Sequence, residues 1–107
     1  MQPYYLVYYR FNPEDDERII VALVFQDNNK YKIVYDPEFP KIKRLYPKNA
    51  GSIIDMMPIY LLDLEDKLNS ESELVMHNVF LLLSPQRKYD PKLFDESLEF
   101  LKDRFLR

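Results

Sequence analysis

A chain of 107 residues with 47% hydrophobic and 31% charged side chains has the size and apolar content of one folded domain, residues 1–107, with too little length for two cores. It holds no cysteine, one histidine and one glycine, which excludes disulfides, thiolate metal sites, two-histidine metal centres and glycine-rich phosphate loops. Its net charge of -3 is uneven, eight Lys/Arg against seven Asp/Glu over residues 1–50 and seven against eleven over 51–107, so phosphate backbones find no broad attraction.

Tyr4 to Phe11 predicts a first strand, with Tyr5, Val7, Tyr9 and Phe11 on one face and Tyr4, Leu6, Tyr8 and Arg10 on the other. A polar turn over residues 12–17 leads to a second strand, in which Ile19, Val21, Leu23 and Phe25 alternate with Arg18, Ile20, Ala22, Val24 and Gln26. Asp27-Asn28-Asn29 tolerates left-handed backbone and makes the turn of a hairpin whose second arm is Tyr31 to Tyr35. Residues 36–52 contain three prolines and read as an irregular connection with one short helical turn around Lys41 to Tyr46.

Ile54, Met57, Leu61, Leu64 and Leu68 recur at steps of three and four, the spacing of one helix face. Proline lacks the amide a helix interior needs, so the regular part is expected to start near Met57 with Pro58 in its first turn, or to kink there. Residues 70–83 are ambiguous between helix and strand. Ser70 and Glu73 have capping-box spacing, whereas the apolar run ending at Ser84-Pro85 favours a strand over about 75–83. Asp90-Pro91 is an N-cap followed by proline at the first helical position, and Phe94, Leu98, Leu101 and Phe105 stripe the last helix. The order strand, strand, strand, helix, strand, helix predicts an α+β fold: a mostly antiparallel sheet of about four strands with two helices on one face.

No set of residues assembles a catalytic or metal centre, and no cofactor is expected. His77, among Val75, Met76, Val79 and Phe80, reads first as a hydrogen-bonded structural histidine, with a lone general base as the alternative. Glu14-Asp15-Asp16-Glu17 lacks the alternating ligands and glycine of a calcium loop and reads as a solvated hairpin tip. Lys41, Lys43, Arg44 and Lys48, with Tyr46 among them, are the densest basic cluster. Gln86-Arg87-Lys88 is a second, smaller basic spot in a loop. Together with exposed strand tyrosines, Lys41, Lys43, Arg44, Tyr46 and Arg87 would suit unpaired nucleic acid.

The strands are apolar on both faces, and two helices on one side cover only one of them. Tyr4, Leu6, Tyr8 and Tyr31, with Ile20 and Val24, are therefore the expected exposed patch for a partner protein or a second copy. The start, Met1-Gln2-Pro3-Tyr4, shows no basic segment leading into an apolar run, and no stretch is long enough to span a bilayer, so a cytoplasmic protein without a membrane partner is expected.

Tyr4-Tyr5-Leu6-Val7-Tyr8-Tyr9-Arg10-Phe11-Asn12-Pro13, the strand Ile19 to Phe25, and Leu81-Leu82-Leu83-Ser84-Pro85-Gln86-Arg87 with the closing helix resemble a family of short prokaryotic proteins of unknown function, often encoded beside HipA-like kinases. The chain departs from that pattern at Asp16 to Ile20, where members carry Gly and Asn, and at Pro85-Gln86-Arg87, where they carry Pro-Pro-Arg. The resemblance implies an accessory or regulatory subunit in a toxin-antitoxin, defence or anti-defence setting, and it assigns no catalytic residues. The expected function is a non-enzymatic protein-binding module. Single-stranded nucleic-acid binding and an unfamiliar enzyme acting through His77 or Arg87 are the alternatives.

Overall fold

The computed structural model describes residues 2–12, 14, 17–70 and 80–107. Aromatic and β-branched residues build strands β1 (Gln2–Tyr9), β2 (Ile19–Asp27) and β3 (Lys30–Val34). Asn28 and Asn29 take positive φ between β2 and β3, as a tight hairpin requires. Helices α1 (Pro40–Leu45) and α2 (Ala50–Ser70) follow, then strands β4 (Leu81–Leu83) and β5 (Arg87–Tyr89), a 3-10 turn over Pro91–Leu93, and α3 (Phe94–Phe105). The sheet is antiparallel in the order β3-β2-β1-β4, with β5 also pairing β1. The described residues thus form an α+β protein with three helices among them.

The two faces predicted for β1 are the two faces observed. Tyr5, Val7 and Tyr9 enter one core with α2, whereas Tyr4 and Leu6 enter a second core with α3. Strand β2 does not keep the predicted alternation. Val7 pairs with Ala22 but Tyr8 pairs with Ile20, so Val21 is the extra residue of a β-bulge and both Val21 and Ala22 join the α2 core.

Helix placement corrects two expectations. Helix α2 begins at Ala50, well before Met57, and carries Pro58 in its interior, so the Ile54 carbonyl has no amide to receive at that position. Ile53, Met57, Leu61, Leu64 and Leu68 are its buried residues, a stripe strong enough to hold the helix through the proline. The two long helices also do not share a face: α2 covers one side of the sheet and α3 the other. Strand β5 is the reason. It pairs beside the start of β1 and turns Tyr89 into the α3 core, so the chain leaves the sheet toward the second face. The Asp90 carboxylate accepts from the Lys92 amide at 3.0 Å and starts the turn into α3, as its sequence predicts.

Both long edges of the sheet are modified by side chains. On β3, the Asn69 amide oxygen accepts from the Tyr31 N–H at 2.8 Å while its Nδ2 donates to the Tyr31 carbonyl at 2.9 Å. Glu65 Oε2 accepts from the Ile33 N–H at 2.8 Å. Helix α2 therefore occupies backbone groups that would otherwise template another strand. Beside β1, buried Ser84 stands where β4 ends. Its N–H donates to the Leu6 carbonyl at 2.9 Å, and its Oγ accepts from the Leu6 N–H at 2.8 Å and donates to the Pro85 carbonyl at 2.8 Å. A hydroxyl completes the ladder where proline interrupts it.

The short helical turn expected around Lys41 to Tyr46 is α1. Phe39 precedes it at φ 45°, a left-handed conformation unfavourable for a bulky residue, and is held there by burial and by stacking on Tyr35 at 5.3 Å. Leu81–Leu83 is strand, as expected; residues 71–79 of the ambiguous segment, His77 among them, lie outside the described residues.

Candidate functional site

Covering both faces of the sheet overturns the expected exposed patch. Tyr4 and Leu6 are 7% and 1% exposed beneath α3, and Val24 is fully buried. Tyr8 is half-buried with the Arg18 guanidinium 4.6 Å from its ring centre, and Ile20 packs against the same core. Tyr31 belongs to the opposite face, against the α2 core. These four candidates therefore do not form one surface. Two-sided apolar strands did require cover on both sides, but the chain itself supplies it.

Exposed apolar side chains stand instead at Phe11, Leu45, Leu93 and Phe100 and, three on one helix, on α2. A helix with one buried stripe should present polar residues outward, yet Met56, Ile59 and Leu62 are 43%, 60% and 62% exposed on consecutive turns. A strong inward pattern at Ile53, Met57, Leu61, Leu64 and Leu68 draws attention away from them, and the missed signal is that α2 is apolar on more than one face. Two hollows flank this ridge: one of about 90 Å³ beside Leu62, Pro58 and Tyr35, and one of about 130 Å³ beside Met56, Tyr60 and Tyr9.

The basic cluster is only partly assembled. Lys43 is paired with Glu38 at 2.9 Å. Lys41 is half-buried beside Ile20, Phe39 and Leu106, and that burial, followed by the nearby Arg44 charge, lowers its pKa below the ordinary 10.5. Tyr46 stacks on half-exposed Phe11 with ring centres 5.2 Å apart. Arg44 and Lys48 are exposed on either side of Tyr46 in the chain. Arg87 is not part of this group: its stretch, read as a loop, is strand β5, where Arg87 pairs with Tyr4 and lies over the Phe105 ring at 5.5 Å.

A cleft of about 790 Å³ opens between β3 and α3, lined by apolar Phe25, Val34, Phe94 and Leu98 and by charged Asp27, Lys30, Lys32 and Glu65. Of its two carboxylates, Glu65 is already committed to the Ile33 amide. Of the acidic run at 14–17, Asp15 and Asp16 lie outside the described residues, and the Glu14 amide donates to Asn12 Oδ1 at 3.0 Å, a local turn contact. Among the described residues no group of three or more His, Cys, Asp or Glu side chains is placed to hold a metal ion. No described helix is long and apolar enough to cross a membrane.

Comparison with protein-family models, with curated proteins and with solved structures gives no match to this chain.

Proposed function

We propose that this chain is a non-enzymatic protein-binding module whose contact face is the outer side of α2. The observation that carries the reading is the solvent exposure of Met56, Ile59 and Leu62 on successive turns of one helix. Apolar side chains scattered singly on a surface need no explanation, but three aligned on one ridge form a patch of the kind that association buries. The likeness to proteins encoded beside HipA-like kinases extends the proposal to an accessory subunit of a prokaryotic toxin-antitoxin, defence or anti-defence system acting in the cytoplasm.

The test is recovery of cross-linked partners from native cells by the full chain and by Ile59→Ser/Leu62→Ser. A partner held in fixed proportion to the wild-type chain, and lost from the double variant at unchanged melting temperature, is the expected result. Identical recovery by both chains overturns the reading.

A second reading, single-stranded nucleic-acid binding, is favoured by the Phe11–Tyr46 stack with Arg44 and Lys48 exposed on either side of Tyr46 in the chain. It loses the strand tyrosines, Arg87 and an uncommitted Lys43. Binding to single strands that weakens steeply with salt and is lost in Arg44→Glu/Tyr46→Ala is its expected signature; no binding at low salt ends it.

A further inference from the structure

We infer that the outer face of α2 receives a helix of another protein whose apolar side chains are bracketed by lysine or arginine, an inference that rests on the protein-binding reading above. At 3.6 residues per turn, Asp55, Ile59, Leu62 and Asp66 fall within an arc of roughly 60° on the outside of the helix, and at 1.5 Å per residue the two carboxylates stand about 16 Å apart. All four side chains are exposed. Among the described residues neither Asp55 nor Asp66 has an ion pair or a hydrogen bond accepted by its carboxylate, whereas their neighbour Asp63 is paired with Lys67 at 3.0 Å. The surface is an apolar centre with an uncommitted negative charge at each end.

Charge decides between the two candidate occupants. A second copy docked antiparallel about a two-fold axis through Ile59 sets Asp55 against the Asp63 of the other copy. An axis midway between Ile59 and Leu62 sets Asp55 against the Asp66 of the other copy. The second arrangement sets one uncommitted carboxylate against another, and the first offers Asp55 only a carboxylate that Lys67 already pairs, so self-pairing leaves Asp55 and Asp66 unmatched, while cations at both ends of a foreign helix match them. The hollows on the two flanks give that helix somewhere to place side chains, so that the α2 ridge enters a groove of the partner and the partner's side chains enter the hollows.

The experiment uses the full chain and two fluorescent amphipathic helical peptides, one with lysines flanking a leucine stripe and its twin with glutamates in their place. Fluorescence anisotropy is expected to show the lysine peptide binding roughly ten-fold more tightly at low salt, from two exposed charge contacts, and Asp55→Lys/Asp66→Lys is expected to reverse the order. Equal binding of the twins, or binding of neither, overturns the inference. So does a dimer in sedimentation that Ile59→Ser/Leu62→Ser dissolves, which assigns the ridge to a second copy. If the peptides fail while recovery of the native partner still depends on Ile59 and Leu62, the basic helix is wrong and the protein-binding reading stands. If recovery ignores those residues, that reading falls as well.

Discussion

The two faces of the sheet are buried by unequal means. On one, the 21-residue α2 inserts five buried side chains and fixes the edge of β3 with Glu65 and Asn69. On the other, the 12-residue α3 has Leu101 as its one buried residue and leaves the cleft beside β3 open. There the packing is chiefly aromatic: Phe25 lies 5.8 Å from Tyr4, 5.1 Å from Tyr89 and 5.2 Å from Phe94. The contrast teaches that a helix can be the main support of a core and still offer a binding ridge, because its inner and outer faces answer to different residues. The α3 face should be the first to open.

The largest expected effect tests that difference directly. Leu61→Ala empties a site 1% exposed in the α2 core and is expected to cost about 2–5 kcal/mol in denaturant unfolding. Leu101→Ala, 7% exposed in the smaller α3 core, should cost about half as much, since less packing surrounds it. Equal losses would abolish the contrast. A smaller effect is expected at the strand edge common to both faces. Ser84→Ala leaves the Leu6 amide without its acceptor and should cost about 1–3 kcal/mol, with faster hydrogen exchange at Leu6 and recovery in Ser84→Thr. An unchanged exchange rate would show that another group takes over the amide.

The smallest effect is on the response to alkali. Burial raises the Tyr5 and Tyr9 phenols on the α2 face and Tyr89 on the α3 face above the ordinary 10.0, with neighbouring Tyr31, Tyr60 and Tyr46, and Asp27, adding to it respectively. Above pH 10.0 the unfolded chain loses phenol protons that the folded chain keeps. Stability is therefore full below that pH and falls as pH rises through the folded values. Lys41, lowered from 10.5, acts with the opposite sign as one group against three. Unfolding followed across this range in Tyr9→Phe and Tyr89→Phe should give shallower slopes than wild type. A slope unchanged in both variants would remove the phenols from the account.

Much of the fold was legible because local rules governed it. Alternation gave the two faces of β1, asparagines gave the hairpin, and Asp90-Pro91 gave the start of the last helical segment. The rest needed partners distant in the chain. Arg87-Lys88-Tyr89 is a strand only because β1 lies beside it, and Val21 bulges only because β1 offers no residue opposite. The site was least legible of all, because apolarity in a sequence does not say which residues the fold will cover: Tyr4 and Leu6 are hidden by α3, while Ile59 and Leu62 are left outside.

By itself the sequence determined that the strands needed cover on both faces, since side chains alternate across a strand and both sets here are apolar. Only the tertiary structure decided that the cover comes from within, by leading the chain through β5 to the far side of the sheet. A helix must pack where its preceding strand releases it, and no local pattern in α3 records which face that is.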